Sequence, residues 1–319
     1  MKKSNVWVVF WSLVGLAAWA GVIAVALRPA PPAWHPPAVR VAVAPLPPAP
    51  APEQPTLEGE KPIPQIAGMP GLPPSAIPSP KQAAPKLAPG HAPEIALVID
   101  DMGLDMKDSA RAETSLPPQV TLSYMPYADD LAEQTGKALA AGHELLLHMP
   151  MEPIGHQDPG PSALLTSLAP DQIRARFDKA LGSFKGFDGV NNHEGSKFTA
   201  DAAGMQIVAE ELKKRGLFFL DSRTGPHSVG ESVAKKDGVL ALGRDVFLDD
   251  SLDPAAIETQ LQRTEYVARR HGEAIAIGHP HAATLDVLEK WIPEAEKDGY
   301  VLVPLHDLLE ARIIPVKAN

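Results

Sequence analysis

The sequence predicts an α/β domain, a largely parallel sheet covered by helices, preceded by an apolar segment and a proline-rich stretch. Three observations carry this. Strand-like and helix-like patterns alternate with short connections from residue 94 onward. Most of the 35 prolines lie before that point. An uncharged apolar run, residues 6–27, opens the chain.

The chain thus divides into an anchor (residues 1–28), a linker (29–93) and a folded domain (94–319). The apolar run reaches the roughly 20 residues needed to cross the hydrocarbon core. Lys2 and Lys3 precede it, so the positive-inside rule predicts a single-pass anchor in the inner membrane with the domain outside the cytoplasm. The competing reading is a signal peptide cleaved near Ala24-Val25-Ala26. The Pro/Ala-rich linker favours polyproline II and carries no chemistry.

Within the domain, residues 94–99 form a branched apolar run that reads as a buried strand ending in Asp100-Asp101. A short helix is expected over 107–115, a second strand over 119–124, and a helix over 129–141 stopped by Gly142. The third strand, 144–147, runs into His148. Helical spacing over 171–184 precedes a fourth strand, 186–192, that ends at Asn191-Asn192-His193. Helix 203–215 leads to strand 217–220 with Asp221-Ser222 at its end, and strand 246–248 ends at Asp249-Asp250. Helix 254–270, strand 273–277 ending at Gly278-His279-Pro280-His281, helix 285–292 and strand 300–303 complete the domain. Seven or so strands suit a closed or nearly closed barrel, with an open doubly wound sheet as the alternative. No glycine-rich phosphate loop follows any strand.

The formal net charge of −10 argues against a nucleic-acid partner, which needs a basic surface. With no cysteine, disulfides and thiolate metal sites are excluded. In parallel β/α folds the active face lies at the C-terminal strand ends. One such Asp is commonly a helix cap, and one such His a hydrogen-bonded structural residue. Repetition over unrelated strands is harder to explain that way. Asp and His without Cys suit Zn²⁺ or another first-row divalent ion, with a nearby carboxylate as base and a His as acid for amide or ester hydrolysis. A serine nucleophile is disfavoured because no G-x-S-x-G elbow is present.

The segments VIDDMG, GHELLLHMPME, GVNNHEGSKFT, FFLDSRT and IAIGHPHAAT, in this order, together resemble the divergent polysaccharide deacetylase family, a branch of the NodB-homology carbohydrate deacetylases. The resemblance covers residues 94 to about 310. It implies a NodB-like (β/α) barrel, seven-stranded and distorted, and a metal-dependent hydrolase that deacetylates an N- or O-acetylated envelope polysaccharide such as peptidoglycan. The alternative is an inactive glycan-binding or regulatory module on the same fold. By position, the resemblance implies Asp100 as catalytic base, His279 as general acid and Asp101 and His148 as metal ligands. Where the broader family has a second His four residues on, this chain has Glu152, so Glu152 or His193 is the implied third ligand. Asn192, Asp221, Ser222 and His281 are expected to contact substrate; Asp221 also falls where the broader family has an Asp that orients the base. The family's arginine-containing motif has no recognisable counterpart; Asn191-Asn192-His193 stands there instead.

Overall fold

The computed structural model describes residues 92–313. The expected anchor and linker, residues 1–28 and 29–93, therefore lie almost wholly outside the described residues. No helix among the described residues is long and apolar enough to cross a membrane.

The chain alternates strand and helix as expected. β1 (Glu94–Met102), α1 (Met106–Ser115), β2 (Thr121–Tyr124), α2 (Leu131–Ala141) and β3 (Leu145–Met151) come first. They are followed by α3 (Pro170–Leu181), β4 (Gly189–Glu194), α4 (Ala202–Arg215), β5 (Phe218–Asp221) and α5 (Gly230–Lys236). β6 (Ala241–Gly243), β7 (Val246–Phe247), α6 (Pro254–His271), β8 (Glu273–Gly278), α7 (Ala282–Lys297), β9 (Val301–Leu302) and α8 (Leu305–Ile313) complete it. The three-residue strand β6 has no counterpart in the sequence reading, because so short a run between Gly238 and Arg244 shows no period. Helix α7 runs longer at both ends than its predicted core, continuing through Pro293.

Every strand pair is parallel, in the order β6-β5-β4-β3-β2-β1-β8-β7, with β9 beside the start of β1. The two ends of this order, β6 and β7, are joined by only Arg244 and Asp245. Three Cα steps reach at most about 11 Å, whereas eight strands laid flat would be about 34 Å wide. The sheet must therefore curl until its edges meet on one chain segment. The backbone shows the handover: Arg244 N–H donates to Asp221 O of β5, and Asp245 N–H donates to Ile275 O of β8. Counted as one bent strand, residues 241–247 make the ring seven strands round, with β9 as an addition.

Strand alternation sorts the core into two parts. Ile95, Leu97 and Ile99 face outward into the large cluster shared with the helices, where α6 contributes Ile257, Leu261 and Ala268 at helical spacing. Each such buried Leu or Ile contributes roughly 1.5–3 kcal/mol. Ala96, Val98, Leu146, Leu220, Leu242, Ile275 and Ile277 face the other way, into the ring, together with Leu305, Leu308 and Leu309 of α8. Glu144 pins α8 to this interior by accepting from Leu305 N–H, His306 N–H and Thr121 Oγ. Helix starts are fixed by Asp105, Asp201 and Asp253, whose carboxylates accept from first-turn amides. With the interior filled at one end, the same alternation delivers polar residues at the other.

Candidate active site

Carrying the interior alternation two residues further brings Asp100 on β1, His148 on β3, Asn191 and His193 on β4, Ser222 after β5 and His279 after β8 to the C-terminal mouth of the ring. Ser123 on β2 belongs to the same face. Asp101 joins them differently. Its φ of 56° puts it in the left-handed region, uncommon for a residue with a Cβ, and this reorients its side chain beside that of Asp100. Glu194 and Arg223, each directly after a mouth residue, are also left-handed, with φ of 48° at both. Such conformations persist only where surrounding contacts hold them.

One group of donors converges on Asp101. His193 Nδ1 lies 2.8 Å and His148 Nε2 lies 3.2 Å from Asp101 Oδ1, and His148 Nε2 is 3.7 Å from Asp100 Oδ2. Despite these short distances Asp101 Oδ1 is buried without a hydrogen-bond partner: no N–H points at it. Ligand atoms about 2.0–2.1 Å from a tetrahedral ion stand about 3.3 Å apart, so donors that crowd one another without hydrogen-bonding suit a shared cation. One carboxylate and two imidazoles, all with ligand atoms within 4.8 Å of one another, fit a divalent first-row ion.

The charges follow from this crowding. Burial pushes the Asp100 carboxyl above the usual carboxylate range, although His148 and His279 pull it back. Burial would do the same to Asp101, but the flanking His148 and His193 outweigh it and hold that carboxyl well below its ordinary value. For His148 burial opposes protonation, while Asp100 and Asp101 raise the ring's pKa.

Across the mouth sits a second arrangement. Asp249 Oδ1 lies 3.0 Å from His279 Nδ1, and its Oδ2 accepts from His279 N–H at 2.6 Å and from Thr284 Oγ at 2.8 Å. Gly278 leaves room for this carboxylate, since a Cβ there would meet Asp249 Oδ2 at 3.3 Å. With Nδ1 engaged, His279 turns Nε2 toward the site, 3.9 Å from Asp101 Oδ2. Burial opposes the imidazolium, yet Asp249, helped by Asp101 and Asp100, carries the His279 pKa up to about 9.

The remaining expected residues fall in several places. Glu152 stands apart from the Asp101 group: Oε2 accepts from Thr166 N–H and Oγ, and Oε1 pairs with Lys197 at 2.6 Å, bracing two loops against each other. Asn192 accepts from Ser222 N–H and donates to Glu194 O, again fixing loops. Asp221 points outward and accepts from Arg223 N–H, Ser228 Oγ and Glu231 N–H, which holds the start of α5. Ser222 Oγ accepts from Asn191 Nδ2 at 3.1 Å, inside the mouth. His281 is exposed, its ring 5.9 Å from that of His279, and it forms a second possible ligand group with Asp249 and His279.

Four residues of the mouth carry no role in the sequence reading: Ser123, Asn191, Asp249 and Arg244. Arg244 donates Nε to Ser222 O and Nη2 to Arg223 O and lies over the Phe247 ring, whose edge-on neighbour is His279. Burial lowers its pKa to about 10, against the pull of Asp100 and Asp221. Strand alternation through 242 and 244 was the signal that would have found it.

Comparison with known proteins agrees with this fold. The chain is 36% identical over 205 residues to an uncharacterized Haemophilus influenzae protein and, at the same identity and length, to the uncharacterized Escherichia coli protein YibQ. Each match spans 64% of this chain, and 73% of the first and 64% of the second relative. An uncharacterized Agrobacterium tumefaciens protein of known structure superposes with a TM-score of 0.67 at 30% identity, covering 69% of this chain and 91% of that one. A putative cellobiose-phosphate cleavage protein from Enterococcus faecalis shares the fold at a TM-score of 0.52 and 15% identity, covering 68% of this chain and 99% of its own. The sequence profile for divergent polysaccharide deacetylases matches residues 97–309, and the chain belongs to that family.

Proposed function

We propose that this protein is a metal-dependent hydrolase that removes acetyl groups from an N- or O-acetylated envelope polysaccharide, peptidoglycan being the model substrate. The observation that carries the reading is the buried Asp101 Oδ1, crowded by His148 and His193 and hydrogen-bonded by neither. Asp101, His148 and His193 are the residues that would hold the ion, Zn²⁺ by donor type. When bound, it supplies Lewis acidity toward the acyl oxygen and the attacking water.

The protein's own groups then divide the proton transfers. Asp100 Oδ1 accepts from Asn191 Nδ2, so Oδ2 is the oxygen left to take a proton from water. Burial suits it to that role, because a raised pKa makes a carboxylate a stronger base. His279 is the acid. Asp249 keeps it protonated near neutral pH and directs Nε2 into the mouth, from which it protonates the departing nitrogen as the C–N bond breaks. Asp249 stands to His279 as an orienting carboxylate does in other acid–base pairs.

We further propose that residues 6–27 anchor the chain in the cytoplasmic membrane and that the linker carries the domain toward the envelope glycan. Acetate release from acetylated glycan strands tests the reading, alongside metal analysis of protein purified without chelator. About one divalent ion per chain is expected, and Asp100→Asn should abolish acetate release while keeping the metal. A wild-type protein that holds no metal and frees no acetate from any acetylated glycan would overturn it.

A further inference from the structure

Asn191 has a side chain with every hydrogen-bonding position used. It is fully buried within β4. Its Oδ1 lies 2.6 Å from Ser123 Oγ and 2.9 Å from His148 Nδ1; its Nδ2 lies 2.8 Å from Asp100 Oδ1 and 3.1 Å from Ser222 Oγ. Two acceptor positions and two donor positions exhaust a primary amide. Those four partners come from β2, β3, β1 and the end of β5, so one side chain ties together the ends of five adjacent strands.

The amide has two possible orientations, and they differ in consequence. With oxygen toward His148, the ring must carry its hydrogen on Nδ1, which leaves the Nε2 lone pair facing Asp101. The NH₂ then faces Asp100 and occupies Oδ1, leaving Oδ2 open. With the amide reversed, NH₂ would meet His148 Nδ1, so the hydrogen would move to Nε2 and remove that lone pair. The reversed oxygen would also face Asp100 Oδ1 and require a proton on that carboxyl. One orientation therefore suits a metal ligand and a base at once, and the other spoils both.

We propose that Asn191 is a positioning residue that sets the His148 tautomer and selects Asp100 Oδ2 as the working oxygen, coupling the two through a single amide. The proposal rests on the deacetylase reading only for its effect on turnover. In this orientation the Ser123 hydroxyl donates to Asn191 Oδ1.

The first test needs no variant and no turnover. In metal-free protein at a pH where imidazole is neutral, long-range ¹H–¹⁵N correlation spectra should show His148 protonated at Nδ1. Protonation at Nε2 would overturn the proposal. The second test is Asn191→Asp, nearly the same shape, which still accepts from His148 and Ser123 but offers no donor to Asp100. Zinc affinity, measured by competition with a chelator, should stay within about tenfold of wild type, while kcat for acetate release falls about 100-fold with little change in KM, a loss of the size that supporting partners of metal sites produce. A folded Asn191→Asp protein with unchanged kcat would count against the coupling. Should the wild type release no acetate, the deacetylase reading fails, and the tautomer measurement still decides this proposal.

Discussion

Asp249→Asn tests the proposed role of His279 as general acid apart from the rest of the site. The carboxylate reaches His279 twice, through Nδ1 and through the backbone N–H, and these contacts outweigh the burial that would otherwise deprotonate the ring. The rise from the ordinary 6.5 to about 9 is worth roughly 3 kcal/mol in favour of the imidazolium. The amide keeps the shape and one acceptor for Thr284 but loses the charge. A general acid works while protonated, so activity is lost as pH rises through the His279 pKa, and a lower pKa moves that loss to lower pH. The alkaline limb of kcat should shift down by about one to two pH units, and kcat on an N-acetyl substrate should drop about 10²–10⁴-fold, the usual worth of general acid catalysis. The assay is acetate release across a pH series on acetylated amino-sugar oligomers, run beside 4-nitrophenyl acetate. Nitrophenolate departs without a proton, so its release should be nearly spared. Equal losses on amide and activated ester, or an alkaline limb that stays in place, would refute the assignment of Asp249 and His279 to leaving-group protonation.

Glu152→Gln should leave zinc stoichiometry at the wild-type level, because Glu152 serves Thr166 and Lys197, whereas His193→Ala should weaken zinc by more than the 10–100-fold typical of outer-shell changes; elemental analysis and chelator competition check both. Glu144→Ala leaves the Leu305 and His306 amides at the start of α8 and the buried Thr121 hydroxyl without their acceptor and should cost about 2–3 kcal/mol in urea unfolding, with the metal site intact. Metal-free protein should carry a pH signature of His279. Its folded pKa is raised, so the stability it contributes is whole below pH 6.5 and is lost as pH climbs through about 9. Thermal melting of wild type against Asp249→Asn over that window should converge on the alkaline side.

Much of the site was legible because it sits on strand ends. A buried strand of a parallel sheet must be apolar along its length, so the first polar residues after the run, Asp100, His148, Asn191 and His279, mark where the sheet opens to the mouth. The alternation that buries Ala96 and Val98 inside the ring also aims Asp100 inward, and it would have picked out Ser123, Asn191 and Arg244 had it been followed around the ring. Pairing is another matter. Which of Glu152 and His193 stands beside Asp101 depends on where the β3–α3 and β4–α4 loops go, and the Thr166 and Lys197 contacts that decide it are distant in sequence from Glu152. The same holds for Asp249, whose meaning comes from its bond to a histidine thirty residues later. Closure of the sheet was likewise not written locally, since it depends on one segment, residues 241–247, passing from β5 to β8. The sequence by itself determined the alternation of elements and the kinds of donor at the strand ends, because strand period and apolar runs are local. Only the tertiary structure decided which donors meet, because meeting depends on the curl of the sheet and on loop contacts that no local pattern encodes.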